Sequence, residues 1–206
     1  MFGTACPIGG FGHWATPGVS GWPGVGDGSA RHRAAGAPQP WVRPVRADDL
    51  PALNRFYLGL SPASRRLRFH GAVNALPPSA LRQLAAPDDA MHATLVAEST
   101  AGGHLIGEAR YVRELGNASR AEFAMAVADD WQGRGLGRAL LARLLDHAHR
   151  QGLDALHGSV LDGNQPMLWL VQSFGGRAVR APGPGYAVEW RLPTSAAAAT
   201  AGALSA

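Results

Sequence analysis

The sequence contains no lysine, and all 19 of its basic residues are arginine. The chain therefore offers no lysine side chain of its own for acylation. It has one cysteine, Cys6, so no internal disulfide can form, and we expect a reducing, cytoplasmic compartment. Long apolar runs are also missing: the run at Met167 reads MLWLV, whereas a membrane-spanning helix needs about 20 apolar residues. No basic start followed by an apolar block is present, so we predict neither a secretory signal nor a membrane partner.

Positive charge is modest and dispersed. The formal net charge is +4, and the arginines form no stripe interleaved with aromatic residues. This distribution predicts no nucleic-acid partner, although a local cluster would suffice to bind a small anion. A length of 206 residues is enough for one domain with its own hydrophobic core, and we expect a monomer or a homodimer.

Composition divides the chain into three segments. Residues 1–40 are dominated by Gly, Pro and Ala without helical or strand periodicity, which predicts a disordered tail. Residues 193–206 are rich in Ala, Thr and Ser and predict a second disordered tail. The folded domain is expected to span residues 41–192.

Hydrophobic periodicity predicts a mixed sheet with helices on both faces. The mostly apolar run Ala121–Ala128 indicates a central strand, and Asp48 or Asp49 is expected to cap an early helix. The predicted strands are Trp41–Val45, Ala93–Ala97, Leu105–Val112, Ala121–Ala128, Ala155–Leu161 and Tyr186–Leu192. The predicted helices begin near Leu50, cover Ser61–Phe69, Pro78–Leu84 and Asn164–Phe174, and include the leucine-rich run after Leu136.

Residues Trp131–Leu141 read WQGRGLGRALL and place three glycines directly before strong helix formers. Glycine in a helix costs about 1 kcal/mol relative to alanine, so this spacing indicates that something must approach the backbone closely. A strand, a glycine-rich turn and a helix start form a general anion site, because free N–H groups and the helix dipole stabilise negative charge there.

Three phosphate-binding patterns can be compared with this segment. A Walker loop requires Gly-Lys-Ser/Thr, and the chain has no lysine. A dinucleotide-binding turn requires Gly-x-Gly-x-x-Gly, and here the third glycine comes one residue too soon. The third pattern, Gln/Arg-x-x-Gly-x-Gly/Ala, is matched without a gap by Gln132, Gly135 and Gly137.

That third pattern is the pyrophosphate-binding motif of the GNAT superfamily of acyl-CoA-dependent N-acetyltransferases, which the chain resembles over about residues 41–192. The resemblance rests on AEFAMAV, DDWQGRGLGRALL and NQPMLWLVQSFGG in the right order. With LSPASRRLRFHG and GEARYVRE added, the chain looks like the catalytic domain of bacterial Pat-type protein lysine acetyltransferases. The resemblance implies an α+β fold with a central mixed, mostly antiparallel sheet flanked by helices.

The resemblance also implies where acetyl-CoA, the co-substrate, binds. It would lie along the splayed strands Ala121–Ala128 and Ala155–Leu161, and Asn164 would cap the last helix, bond the pantetheine arm, or do both. Arg134 would either add charge at the phosphates or remain solvated. Backbone groups near Met125, Ala126 and Val127 would pair with the pantetheine arm. The pyrophosphate would contact backbone N–H groups of Gln132, Gly133, Arg134, Gly135, Leu136, Gly137 and Arg138.

Acylation of an amine needs a base, because a lysine amine has a free pKa near 10.4 and is mostly protonated at neutral pH. Glu122 is the only acidic residue in AEFAMAV, and it matches the place of the glutamate base in GNAT protein acetyltransferases. The alternative is a surface carboxylate paired with Arg110 or Arg120. The histidines have no metal-ligand spacing, so we predict no metal.

The general acid stays open. Many GNAT enzymes carry a tyrosine acid in the last helix, but the matching position here is Val171, which cannot donate a proton. A thiolate with a free pKa near 8.5 leaves with little help, so water, Ser159 or Tyr111 are the alternatives. Cys6 lies in the predicted tail, which favours direct attack by the amine in a ternary complex.

These patterns predict an acetyl-CoA-dependent N-acetyltransferase acting on an amine, foremost a protein lysine ε-amine. The alternatives are a small-molecule amine N-acetyltransferase and a catalytically silent acyl-CoA-binding module. A protein acceptor predicts an open cleft of acidic or mixed charge, with Asp88, Asp89 and Glu114 as candidates for the acidity, whereas a small acceptor predicts a closed pocket.

Overall fold

The computed structural model describes residues 40–86, 90–100 and 102–192. The predicted tails (apart from residue 40), and with them Cys6, lie outside these ranges, as do Asp88 and Asp89. The strands are β1 (Trp41–Pro44), β2 (His92–Glu98), β3 (Leu105–Glu114), β4 (Asn117–Val127), β5 (Ala155–Leu161), β6 (Arg177–Arg180) and β7 (Gly185–Arg191). The helices are α1 (Leu50–Gly59), α2 (Pro62–Phe69), α3 (Pro78–Leu84), α4 (Leu136–Arg150) and α5 (Gln165–Ser173), with 3-10 turns at Ala47–Asp49 and Asp129–Trp131.

The seven strands form one sheet in the order β1-β2-β3-β4-β5-β7-β6. Neighbouring strands are antiparallel except β4 and β5, which run parallel. This arrangement confirms the predicted mixed, mostly antiparallel sheet. The sequence analysis missed the strand β6, because its four residues, RAVR, are too few to show a clear apolar alternation.

The parallel pair is short. Residues Arg120–Glu122 of β4 pair with Ala155–His157 of β5, and the paired register ends there although both strands continue. At the point where pairing ends, a Cβ on Gly158 would lie 2.7 Å from the Phe123 ring, so glycine is needed for the two strands to approach. Beyond this point the strands separate and leave an opening in the sheet.

Each face of the sheet carries its own apolar core. On one face, the fully buried Leu140 and Leu144 of α4 belong to the same core as Phe123. On the other face, Leu53 of α1 packs with Val96. Side chains alternate along a strand, so burial of Ala121 and Phe123 in the α4 core directs Glu122 to the face covered by α1, α2 and α3.

The predicted helix cap is wrong in its chemistry. Asp49 precedes α1, but its side chain makes no capping hydrogen bond to that helix. Its carboxylate accepts from the Arg46 N–H at 2.7 Å, at the start of the 3-10 turn before α1, and from the Arg43 guanidinium at 2.6 and 2.8 Å. Burial raises the pKa of Asp49, but the hydrogen bonds from Arg43 and Arg46 outweigh it and hold that pKa below its usual value. The pair joins β1 to the start of α1.

One buried histidine makes the stability of the fold depend on pH. His147 is 1% exposed and stacks on Tyr111. Burial, assisted by Arg150 and Arg113, lowers its pKa to about 3, whereas an unfolded histidine titrates near 6.5. Between these values the unfolded chain binds a proton that the folded chain does not. The free energy of unfolding should therefore fall as the pH drops, by up to about 1.4 kcal/mol per pH unit.

We expect His147→Phe, which keeps a ring against Tyr111, to flatten this slope. Urea denaturation between about pH 7 and pH 4.5 measures it. The exposed His104 provides the control variant His104→Phe, which should keep the wild-type slope. Identical slopes in the His147→Phe and wild-type proteins would contradict the assignment.

Candidate functional site

A single cleft of about 1530 Å³ begins where β4 and β5 separate and continues to α2 and α3. All of the site residues predicted from the sequence line it, except Arg134 and Leu136. The Leu136 side chain is buried in the α4 core, and the Arg134 side chain is exposed. The glycine segment, defined here as Gln132–Arg138, and Glu122 are separated in the chain but therefore open into one space.

The glycine segment has the geometry of an anion cradle. Gly133 and Gly135 adopt left-handed conformations with φ of 70° and 85°, and a Cβ at either would meet no atom within 4 Å. Gly135 is the N-cap of α4, and the first helical hydrogen bond runs from the Ala139 N–H to the Gly135 carbonyl. An α-helix leaves its first N–H groups without intrahelical partners, so those of residues 136–138 remain at its positive end.

Gly137 plays a different part from the other two glycines. Its φ is not positive, and a Cβ there would lie 3.6 to 3.8 Å from Met125, Leu170 and Val127, at ordinary van der Waals distance. The position therefore has room for alanine, which agrees with the Gly/Ala alternative at the end of the motif.

Both arginines of the segment rest on aromatic rings. The Arg134 guanidinium lies 5.6 Å from the Trp131 ring centroid, and that of Arg138 lies 4.8 Å from the Phe174 centroid. Arg138 also donates a hydrogen bond to the Ser173 hydroxyl at 3.2 Å. Arg138 is thus fixed at the cleft wall by its side chain as well as by its place in α4.

The start of α5 confirms the prediction that Asn164 caps the last helix. The Asn164 side-chain oxygen accepts a hydrogen bond from the Met167 N–H at 3.3 Å, so Asn164 caps α5 while it lines the cleft. Val171 is fully buried, and Tyr111 is 1% exposed in the α4 core, on the face away from Glu122. Tyr111 is therefore wrongly placed for a general acid, whereas Ser159 lines the cleft.

Glu122 is an exposed carboxylate in the cleft wall. The two arginines considered as its surface partners also contact other carboxylates. Arg120 donates to Glu189 at 2.8 Å, and the Arg110 Nε lies 4.0 Å from Glu108.

His70 shares the cleft wall with Glu122 and is a left-handed residue, with φ of 57°. Burial and the charge of Arg68 lower the pKa of His70, and the nearby charge of Glu122 opposes them. His70 therefore places a second titratable group beside the carboxylate predicted to act as the base.

The wall nearest α2 contains charges to which the sequence analysis gave no role. Glu108 is fully buried, and one of its oxygens lies 3.4 Å from the Arg68 guanidinium, which stacks 4.9 Å from the Phe69 centroid. The alternation of Glu108 and Arg110 with Ala109 was the available signal, since it puts both charges on one face of β3. Glu114, a candidate for the acidity of the cleft, is not among its lining residues; its carboxylate lies 2.7 Å from His157, which does line the cleft.

No helix in the described part of the chain is long and apolar enough to cross a bilayer. Within residues 40–86, 90–100 and 102–192, no three His, Cys, Asp or Glu side chains form a group that could hold a metal ion.

Known proteins are similar to this chain in sequence and in fold. The chain matches the Acetyltransferase (GNAT) family over residues 64–175. It is 32% identical over 153 residues to "Acetyltransferase PA5475" of Pseudomonas aeruginosa, a match that covers 73% of this chain and 82% of that protein. It is 33% identical over 140 residues to "Acetyltransferase Pat" of Mycolicibacterium smegmatis, covering 68% of this chain but only 42% of that longer protein.

A solved structure has the same fold as this chain. The GNAT domain of S. lividans PAT superimposes with a TM-score of 0.69 at 28% identity, over 74% of this chain and 90% of that domain. The family match contains Glu122, the glycine segment and Asn164. The resemblance drawn from the sequence motifs is therefore confirmed, and the chain belongs to the acetyltransferase (GNAT) family.

Proposed function

We propose that this protein transfers an acetyl group from acetyl-CoA to the ε-amine of a lysine on another protein, with Glu122 as the general base. The observation that carries this proposal is that one cleft joins the anion cradle of α4 to Glu122. The relative named Pat and the matched GNAT domain of PAT agree with the resemblance to Pat-type protein lysine acetyltransferases, and that resemblance implies a protein acceptor.

The residues present fit acetyl-CoA. The left-handed glycines leave open space in front of the N–H groups at the start of α4, which suits a pyrophosphate. The edge of β4 beyond Glu122 has no paired residue on β5, so backbone groups of Met125 and Ala126 can bond the pantetheine amides. The Val127 carbonyl already accepts a hydrogen bond from Gln132, at 3.1 Å. Bound acetyl-CoA supplies the thioester acyl group.

Glu122 would take a proton from the acceptor ammonium, directly or through water, and so free the amine for direct attack. The buried Val171 offers no proton to the departing thiolate, and a thiolate needs little help to leave. The mixed charge of the cleft lining, with Glu122 near Arg68 and Arg110, supports an acceptor larger than a small amine.

We expect the full chain to release coenzyme A when it is given acetyl-CoA and a cytosolic protein extract, and to release little with spermidine or free amino acids. Because the enzyme has no lysine, every acetyl-lysine that mass spectrometry finds in excess of a reaction without enzyme belongs to an acceptor. Release with the small amines alone would replace the proposal by a small-molecule acetyltransferase. Binding of acetyl-CoA without any release would indicate a silent binding module.

The glycine segment provides a matched pair of variants for cofactor binding. Gly135→Ala forces an L-residue into a left-handed conformation, which costs about 1–2 kcal/mol, so we expect acetyl-CoA affinity to fall about tenfold. Gly137→Ala adds the same methyl group where room exists and should bind within about twofold of wild type. Equal losses in both variants, measured by thermal-shift titration, would contradict the assigned roles.

Glu122→Gln keeps the size of the side chain but cannot accept a proton. General bases contribute about 10²–10⁴-fold, so we expect kcat to fall by about 100-fold or more while acetyl-CoA binding is retained. The control Asp146→Asn removes an equal charge from the Arg150 ion pair on α4 and should keep wild-type turnover. Wild-type turnover by Glu122→Gln in the coenzyme A release assay would exclude Glu122 as the base.

A further inference from the structure

Two segments that are distant in sequence, the start of α2 and the 3-10 turn between β4 and the glycine segment, meet at Asp129. One Asp129 oxygen accepts a hydrogen bond from the Ser61 N–H at 2.9 Å. The other accepts from the hydroxyls of Ser61 and Ser64, each at 2.7 Å. Burial raises the pKa of Asp129, but these hydrogen bonds outweigh it and hold that pKa below its usual value. The carboxylate is therefore ionised at neutral pH, which strengthens all three bonds.

The network extends to the predicted cofactor motif. The Gln132 side-chain N–H group donates to the Ser64 hydroxyl at 3.2 Å and to the Val127 carbonyl at 3.1 Å. Gln132 directly precedes Gly133, the first glycine of the cradle. A ligand that orders the glycine segment would therefore also order Gln132 and Asp129, the two residues that contact the Ser64 hydroxyl.

The first turn of helix α2 depends on these contacts for its position, whereas its last turn is held by Arg68 against Glu108 and by Phe69 against Tyr57. It has eight residues, none of which is buried, and a helix of that length is marginal without tertiary support. Ser61 caps it through a hydrogen bond from the Ser64 N–H, so the two serines that hold its first turn are the two that contact Asp129. The other end of α2 carries Arg68 and Phe69, which line the cleft beside Glu122.

We propose that Asp129 is a positioning residue that ties α2, the acceptor-side wall of the cleft, to the segment that holds the cofactor. Binding of coenzyme A at the cradle would then order α2 before the acceptor arrives. This inference rests on the proposed function, because it needs the cradle to bind coenzyme A. It assigns to Asp129 no contact with either substrate.

Hydrogen–deuterium exchange with free coenzyme A tests the link without an acceptor. In wild type, saturating coenzyme A should slow exchange of the amides of residues 64–70 by about fivefold or more. In Asp129→Asn, coenzyme A should still bind, but exchange in α2 should not respond. Asp130→Asn, the same charge change at the neighbouring exposed residue, is the matched control and should behave as wild type.

A kinetic readout separates positioning from general destabilisation. With a short lysine-containing peptide as the probe acceptor, Asp129→Asn should raise the acceptor KM about tenfold and leave kcat close to wild type. Ser64→Ala removes the hydroxyl shared by Asp129 and Gln132 and should reproduce the loss of coupling, including in the case that Asp129→Asn folds poorly.

The possible outcomes are distinct. If coenzyme A binds wild type but slows α2 exchange equally in Asp129→Asn and Asp130→Asn, the positioning role is wrong and the proposed function stands. If coenzyme A binds wild type without any effect on α2, the positioning role is also wrong. If coenzyme A does not bind wild type, the proposed function fails and this inference fails with it.

Discussion

The site depends on the early end of pairing between β4 and β5. Three residues on each strand pair in parallel, through Glu122 and His157, and the separated ends beyond them form the cleft. The core on the α4 face continues across this gap, from Phe123 of β4 to Val160 and Trp190, and holds the two parts of the sheet together. The core formed with α1 and α3 covers only the part of the sheet that contains β1 to β4. The unpaired strand edge is thus a functional feature, since the exposed backbone groups of an unpaired edge are available to a ligand.

The start of α4 is also less stable than it could be, and there too backbone groups are left accessible to a ligand. Left-handed Gly133 and Gly135 weaken the entry to a helix whose leucines are otherwise well buried. Steric contact within the protein does not require either glycine, because a Cβ at either position would have no atom within 4 Å. Departures from local consistency of this kind are expected at functional sites, where the backbone must meet a ligand.

The sequence predicted most of the fold and the cofactor half of the cleft, because their signals are local. Periodicity located every predicted strand and helix to within a few residues, and the spacing of Gln132, Gly135 and Gly137 identified the family. What it missed depends on contacts between distant segments: Asp129 meets Ser61 across 68 positions, and Arg68 meets Glu108 across 40. The cap expected at Asp49 was wrong for the same reason, since Arg43 on β1 takes the carboxylate.

The central claim is that the cleft beside the glycine segment binds an acyl-CoA. Calorimetric titration of acetyl-CoA into the full chain, with free coenzyme A as a second titrant, tests it most directly. We expect saturable binding of both at one site per chain, because the cradle and the strand edge contact parts that the two molecules share. Absence of binding by either would contradict the role given to the glycine segment, and with it the proposed reaction.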